Sequence, residues 1–503
     1  MLPRYDHTFK FDAGGAMRRA FHLRYLFILI AGATLSCWLS GCMSYAPAPL
    51  TPAAVLHEQA TAALDEAAVR NEITRLAPGA EWDGRRLDRL SLLAAALTAN
   101  PEIAHARATA TAAAAEAKAA HVLQGPTLLL TTEYAFNAPE ASPWQLGVGG
   151  DILLDTGVRR QSRINTAELS AKIAVFDYTD TAWLVRLRIR SALAQHLLAR
   201  KESEAANLLV ALRERQLTAM QRRLSAGTAA HTDVERARAQ LATDRRRLAD
   251  AEARAAVTAL QLAAAVGVAP GAIDESTLSW PEIDAPQKLT SPLPATCLAA
   301  ALLARPDVSR ASLAYDQAEE ALKSAVASQY PQLHLGPAYA WERGLKKLPF
   351  VLSLSLPPLD LNHAAIAAAE ARRLEAGYAL EVVVAAAGTA VELAQQDYAA
   401  AWIQLEQARQ QRQIADRLAA QADTAIGAGA IDRFEWNTAQ SGRMVAELDE
   451  LTAAQNVRSA ETSLENALRR PLDGPELAIT SGQIPSEDPT CQLPQSLQPL
   501  LHP

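Results

Sequence analysis

Long stretches of the chain place apolar residues at helical spacing and contain almost no glycine or proline. This pattern predicts two very long helices, each followed by a glycine-containing break and another helix. A helix of about 65 residues is roughly 100 Å long at a rise of 1.5 Å per residue, which exceeds the width of a compact domain. We therefore expect each long helix to pair with its successor as a coiled-coil-like hairpin. The predicted helices are 53–76, 87–122, 158–225, 231–267, 295–328, 363–427 and 431–469.

Four shorter segments alternate apolar and polar residues with the period of two that is typical of a strand. Each has about ten residues, the length that a tilted membrane-spanning strand needs. Their aromatic residues lie at the loop-proximal ends and on the apolar face, as in the aromatic girdle of a membrane sheet. The alternative is a soluble β-sandwich patch on the helices. The predicted strands are 127–136, 144–153, 331–341 and 349–357, and the girdle residues are Tyr134, Phe136, Trp144, Tyr339, Trp341 and Phe350.

The chain contains an internal repeat, because residues 100–103 match residues 305–308 at an offset of 205. At this offset Leu146 aligns with Val351, which faces the other way, so we expect either a bulge or loops of different length. The predicted units are a signal peptide over 1–41, a lead-in over 42–85, a first repeat over 86–270, a linker over 271–294, a second repeat over 295–470 and an irregular tail over 471–503.

The N-terminus has the features of an export signal. Positive residues precede an apolar run over 26–35 that is too short for a membrane anchor, and small residues then lead to Cys42. This arrangement resembles a bacterial lipoprotein signal, in which the peptide is cut before the cysteine and the cysteine is lipidated. The alternative is an ordinary signal peptide with a chance cysteine. A signal peptide that begins at Met17 fits the pattern better than one that begins at Met1. We therefore interpret Met17 as the translation start and residues 1–16 as wrongly included before it.

Composition excludes several classes of protein. The 48 Lys and Arg residues are outnumbered by 55 Asp and Glu, which gives a net charge of −7 and no basic footprint for nucleic acid. We find no metal-ligand spacing, no nucleophile motif and no phosphate-binding glycine loop, so we expect no enzyme activity, cofactor or metal. No run of about 18 apolar residues is free of charged or helix-breaking residues, so no transmembrane helix is predicted. Cys297 and Cys491 remain after signal removal. They either form a disulfide in an oxidising periplasm or stay as free thiols.

Together these features resemble the TolC-like outer-membrane efflux protein family over residues 86–470. One local segment, 357–371, resembles the heavy-metal (CzcC-like) branch. Two features depart from the family: His363 replaces a commoner polar residue, and the second half ends in Leu-Arg-Arg-Pro over 468–471, where the family often has a glycine. The other matching segments are 224–228, 233–234, 262–267 and 426–429, with Glu435.

The resemblance implies a mainly α protein with a small membrane β part. Three copies would form a homotrimer, with a periplasmic helical tunnel and a shared twelve-stranded barrel among outer-membrane lipids. It implies a passive exit duct in a Gram-negative outer membrane, lipid-anchored at the periplasmic side, that works with a periplasmic adaptor and an inner-membrane pump. The alternatives are the outer-membrane conduit of a type I protein secretion system and a structural helical lipoprotein without a pore.

The resemblance also assigns roles to the breaks between the long helices. The tips would dock the adaptor, unless their glycines serve only the turn. Residues just after the second tip would form a periplasmic constriction, unless they only cap the next helix. The tip residues are Ala226, Gly227, Thr228, Ala428, Gly429 and Ala430, and the constriction residues are Asp432, Arg433 and Glu435.

Overall fold

The computed structural model describes residues 45–79, 82–136, 143–154, 157–288, 302–303, 305–342 and 345–480. The chain divides into two compact units, Met1–His57 and Glu58–Pro503, and the second holds all the strands and long helices. Cys42, Cys297 and Cys491 lie outside the described residues.

Nine α-helices and five strands are described, and the strands all belong to one sheet. The helices are α1 Pro52–Thr61, α2 Glu66–Leu76, α3 Arg89–Ala99, α4 Pro101–Ala120, α5 Val158–Ser225, α6 His231–Val266, α7 Pro306–Ala327, α8 His363–Gly427 and α9 Arg433–Leu468. The strands are β1 Thr127–Tyr134, β2 Trp144–Leu153, β3 Gln332–Glu342, β4 Leu345–Lys347 and β5 Phe350–Ser355. Short 3-10 turns occupy Glu275–Thr277 and Pro475–Thr480.

The segment predicted as one helix over 87–122 is two helices, α3 and α4. Pro101 has no amide hydrogen and disfavours helical geometry in the residue before it, so the first helix ends at Ala99. The side chain of Asn100 then caps α4 by accepting a hydrogen bond from the backbone N–H of Glu102 at 2.8 Å. The segment predicted over 53–76 is also broken, because Asp65 caps a new helix, α2.

The long helices pack as two hairpins side by side. α6 packs along α5, α9 packs along α8, and α5 packs along α9, which gives the row α6–α5–α9–α8. α4 and α7 pack on α5, and α7 also contacts α8. α8 is long and apolar enough, by length and composition alone, to cross a membrane, which the sequence did not lead us to expect. It lies instead along α9 and α7.

The two repeats close their hairpins in the same way. The Asn100 side chain donates a hydrogen bond to the backbone carbonyl of Ala265 at 2.8 Å. Arg305, the matching residue, donates to the carbonyl of Ala467. α6 ends at Gly267 in the left-handed conformation, with φ of 90°, whereas α9 ends at Arg469 with φ of 51°. Arg469 therefore ends α9 in the same left-handed region that Gly267 adopts after α6.

The sheet is antiparallel, with β1–β2–β3 in order and with β4 and β5 both pairing with β3. β4 and β5 keep one register against β3 and are interrupted at Pro349, which has no amide hydrogen to donate.

This register explains the mismatch of the repeat. Thr132 matches Pro337 at the offset of 205, and their partners across the two hairpins are Leu146 and Phe350. Leu146 therefore corresponds to Phe350 rather than to Val351, and the two lie on the same face. The loops differ in length by one residue, and no bulge is required.

A buried cluster of opposite charges lies where the two repeats meet. Arg190 is 0% exposed, and its guanidinium lies 2.8 Å from Asp473, 3.1 Å from Glu461 and 3.5 Å from Glu465. Burial alone would raise the pKa of Asp473, but Arg190 and Arg89 outweigh it and lower that pKa to about 2. The cluster comprises Arg89, Arg186, Arg190, Arg458, Glu461, Glu465, Asp473 and Glu476.

We predict that Gly267→Ala destabilises the chain by about 1–3 kcal/mol. An added Cβ would lie 2.5 Å from the Cα of Asn100, and the residue has a positive φ. Gly442→Ala is the control, because that glycine lies within α9 with nothing near its Cβ position. Alanine there should stabilise the helix by about 0.5–1 kcal/mol. Thermal unfolding of the two variants tests this, and equal melting points for Gly267→Ala and wild type would contradict it.

Candidate functional site

One face of the sheet is apolar and exposed. In the observed register, five of the six predicted girdle residues share this face, since Tyr134 pairs with Trp144 and Trp341 pairs with Leu146. The rings of Tyr134 and Trp144 meet edge to face with centroids 4.9 Å apart, and Phe136, just beyond β1, packs on Tyr134 at 5.2 Å. The described strands form one sheet rather than two packed sheets, so the β-sandwich alternative is not supported. The apolar face comprises Leu128, Leu130, Tyr134, Trp144, Leu146, Val148, Ile152, Leu333, Leu335, Tyr339, Trp341, Phe350, Leu352 and Leu354.

The opposite face is polar and lined with small residues. His334 lies at its centre, with Nδ1 3.1 Å from a carboxylate oxygen of Asp151 and Nε2 3.3 Å from the hydroxyl of Ser355. The three side chains come from neighbouring strands, so they tie β2, β3 and β5 together across this face. Gly147, Gly149, Gly336, Ala338 and Ala340 lie between the polar residues and add almost no bulk. The larger apolar exceptions are Leu129, Leu153, Leu345 and Val351.

All four connections between the sheet and the helices lie at one end of the strands, because β2 and β5 run parallel to each other and antiparallel to β1 and β3. Arg159, in the first turn of α5, donates hydrogen bonds to the carbonyls of Ala327 at 3.1 Å and Tyr330 at 2.5 Å. These bonds join the first turn of α5 to the last residue of α7 and to the turn that leads into β3. The exposed ring of Tyr330 marks this end of the sheet. Neither residue was predicted from the sequence.

The two hairpin tips have the same geometry. Gly227 has φ of 71°, and Gly429 has φ of 70°. In the first tip the N–H of Gly227 donates to the carbonyl of Leu224 at 3.0 Å and the N–H of Thr228 to that of Arg223 at 2.9 Å, which is a Schellman cap. Ala430 makes the corresponding 2.9 Å bond in the second tip. Nothing lies near a Cβ built on either glycine, so the positive φ alone accounts for both.

Asp432 has two structural roles at the second tip. Its carboxylate caps α9, accepting from the N–H of Phe434 at 2.8 Å and of Glu435 at 2.9 Å. It also forms an ion pair with Arg223 at the end of α5, which joins the two hairpins. The N–H of Glu435, the N–H of Phe434 and the Arg223 charge lower the pKa of Asp432 below its usual range.

The remaining predicted constriction residues are exposed. Among the described residues, neither Arg433 nor Glu435 forms a recorded side-chain hydrogen bond or ion pair within the chain. Sequence reasoning missed Arg223, although its position four residues before Gly227 places it level with Asp432 once the hairpins lie side by side. A weaker contact, 3.2 Å between Gln216 and Thr438, continues the same junction.

Comparison with known proteins agrees with this architecture. Residues 92–268 match the model of the family described as outer membrane efflux protein. No curated protein matches the chain.

Several solved structures share the fold. The outer membrane protein VceC of Vibrio cholerae has 16% sequence identity and a TM-score of 0.61, over 76% of this chain and 97% of that chain. The open state of the MtrE outer membrane channel of Neisseria gonorrhoeae has 19% identity and a TM-score of 0.64, over 76% and 89%. The CmeC outer membrane channel of Campylobacter jejuni has 13% identity and a TM-score of 0.61, over 85% and 93%.

A sheet with one apolar face, continued by paired long helical hairpins, is the fold that this chain shares with these outer-membrane channel structures. The match to the outer membrane efflux protein family covers residues 92–268, within the first repeat, and the likeness of the chain to the solved channels is one of fold. No comparison assigns a branch within the family, so the CzcC-like interpretation stays a prediction.

Matched substitutions on the two faces of β1 should separate lipid contact from pore contact. Leu130, on the apolar face, is 71% exposed, and Leu129, on the other face, is 58% exposed. Arginine on a lipid-facing strand costs about 2–4 kcal/mol near the bilayer midplane. We predict that Leu130→Arg strongly lowers the amount of folded protein in the outer membrane and that Leu129→Arg lowers it little. Quantification of membrane-inserted protein tests this, and equal losses would contradict the assignment of faces.

Proposed function

We propose that the chain is the exit duct of a tripartite efflux system and conducts substrates passively out of the cell. The observation that carries the proposal is the junction of sheet and hairpins: the apolar face suits lipid, the small polar face suits a water-filled lumen, and both hairpins leave from one end. The family match over residues 92–268 and the shared fold support the same function.

The duct is proposed to be a homotrimer. Within the described chain, β1 has an unpaired outer edge, as do β4 and β5, and unpaired edges seek further strands. Counting β4 with β5 as one strand, three copies of four strands give twelve, enough to enclose a lumen. The outward faces of α6 and α8 carry exposed apolar residues, among them Leu260 and Ile403, that neighbouring copies would cover.

The tips are proposed to close the duct and to dock the adaptor. Asp432 and Arg223 hold the two hairpins of one chain together. Arg433 and Glu435 are exposed next to this pair, so a threefold arrangement would bring three copies of each around the axis. A ring of carboxylates would attract cations and repel anions. Energy for transport would come from an inner-membrane pump joined through the adaptor.

We predict that the purified protein forms passive channels in planar bilayers and restores efflux to cells that have the pump and adaptor but lack the channel. Ala428→Trp alters the second tip without touching the sheet. It should leave bilayer conductance unchanged and lower efflux if the tips dock the adaptor. A protein without conductance would support the structural-lipoprotein alternative, and conductance with restored protein secretion but not efflux would support a type I secretion conduit.

We predict that Asp432→Asn increases the open conductance, because asparagine still caps the helix while the charge facing Arg223 is lost. Asp432→Ala should also cost about 0.5–2 kcal/mol of local stability. Asp250→Asn, an exposed carboxylate on α6, is the control. Single-channel recording tests the conductance, and wild-type currents for Asp432→Asn would show that the pair does not hold the tips closed.

The Glu435→Ala variant is tested by the same single-channel recordings. If Glu435 contributes to a constriction ring, the variant loses cation selectivity and block by multivalent cations. Unchanged selectivity would remove Glu435 from the gate.

Anchoring and disulfide formation stay proposals from the sequence. Acyl groups on Cys42 at the mature N-terminus, measured by mass spectrometry, would support the lipid anchor, and an unmodified Cys42 would contradict it. A non-reducing peptide map decides whether Cys297 and Cys491 pair or remain free.

A further inference from the structure

The buried charge cluster depends on a short segment that follows the last helix. Residues 471–476, here called the strap, leave α9 and turn back over α3. Asp473 accepts a hydrogen bond from Arg89 at 2.8 Å and another from Arg190 at 2.8 Å. Glu476 is 1% exposed and lies 3.3 Å from Arg89 and 3.4 Å from Arg186. Three of the arginines near the strap therefore belong to the first repeat, and Asp473 also lies 3.7 Å from Arg458 of the second.

The charges balance only when the strap is in place. Arg89, Arg186 and Arg190 come from α3 and α5, and α9 adds Arg458 together with Glu461 and Glu465. Four guanidiniums then face only two carboxylates. Asp473, which is 35% exposed, and Glu476, which is buried, supply the other two. Without the strap, a net charge of plus two would be left on arginines that are at most 5% exposed in the folded chain.

The neighbouring backbone fits the strap closely. Gly474 has φ of 87°, and a Cβ added to it would lie 1.5 Å from a terminal nitrogen of Arg89. The backbone N–H of Leu472 donates to the buried carboxylate of Glu465 at 2.8 Å. Only a glycine with this conformation lets the chain cross directly over the guanidinium. The strap is thus held by backbone geometry as well as by charge.

The linker completes the cluster from the other side. The guanidinium carbons of Arg89, Arg190 and Arg458 lie 4.2, 5.0 and 5.1 Å from the ring centroid of Trp280, within cation–π range. Arg458 also donates to the carbonyls of Glu282 at 2.7 Å and Ile283 at 3.1 Å. Both connecting segments, the linker and the strap, therefore close on the same arginines.

We propose that the strap is an electrostatic lock that makes packing of the first repeat conditional on a complete second repeat. Its carboxylates are the last part of the cluster to be synthesised, so α5 cannot bury its central arginines as a neutral group until the chain has passed residue 476. The lock acts on folding of the subunit and is independent of what the channel conducts.

Two truncations test the lock. A chain that ends at Thr480 keeps the strap, and a chain that ends at Arg470 lacks it. We expect the Thr480 chain to insert and assemble like the full chain, and the Arg470 chain to be degraded or to stay unassembled. Equal assembly and equal melting points for the two truncations would overturn the proposal.

A double-mutant cycle in full-length protein tests whether charge balance, rather than the presence of residues 471–476, causes the effect. Glu476→Gln leaves Arg89 and Arg186 short of one carboxylate and should lower the melting point of the detergent-solubilised protein by about 5 °C or more. Arg89→Met with Glu476→Gln removes one charge of each sign and should recover at least half of that loss. Additive losses would mean that charge balance is not the cause and would overturn the proposal.

An exposed pair on the same helix provides the matched control. Arg188 on α5 is paired with Glu102, and the two side chains are 48% and 56% exposed. Glu102→Gln removes a carboxylate from an arginine just as Glu476→Gln does, but water remains available. The melting point should not change. A loss as large as that of Glu476→Gln would show that burial of the cluster has no special effect.

Discussion

Four arginines buried against four carboxylates fix how the two repeats meet. Buried ion pairs add little net stability, but breaking one is costly, so such a cluster acts mainly by excluding other arrangements. Here it sets the register of α5 against α9. Arg190 faces Glu465 at the cluster, and Arg223 faces Asp432 at the tips, so the two contacts are 33 positions apart on both helices. Because both helices rise equally per residue, a register fixed in the middle brings the two tips level about 50 Å away.

The strands pose a different constraint. Their pairing puts the apolar residues on one face and His334, Asp151 and the small residues on the other, but both outer edges stay unpaired within the described chain. A single copy of such a sheet exposes a large apolar surface to water. In the proposed assembly, lipid on one face and further copies at the edges would remove this exposure together. The same closure would cover the exposed apolar residues of α6 and α8, so one assembly satisfies both the membrane part and the helical part.

Sequence patterns predict those helices and strands in which the same spacing of apolar residues continues along the whole element. α5 and α8 have the bounds expected at 158–225 and 363–427, because each helix runs on until the turn at Gly227 or Gly429, where the glycine has a positive φ. The faces of the strands were predictable because the apolar and polar residues alternate within each strand, and a wrong loop length between strands does not change that alternation. Local interruptions were not predicted: Pro101 divides one helix, and Pro349 divides one strand.

The charged core was also missed, since an Arg or Glu on a helix normally indicates a solvated face. The residues that neutralise Arg190 come from α9 and from beyond it, about 270–280 positions away along the chain. No local pattern reveals a pairing over that distance. Trp280, in a segment predicted as a linker, and Asp473, in one predicted as an irregular tail, are for the same reason structured parts of the core.

At the hairpin tips, the glycines determine the backbone turn, and Asp432 determines the helix cap and the contact between hairpins. Gly227 and Gly429 are required by backbone conformation, and their surroundings are open, so they explain the turn without any partner. Asp432 is required by the cap of α9, yet the cap needs only an acceptor and not a charge. The negative charge of Asp432, which the cap does not require, forms the ion pair with Arg223. The fold of the tip does not need this ion pair, so it can break and Asp432 can pair with another group without unfolding the helix end. For this reason we expect movement of the duct at Asp432 rather than at the glycines.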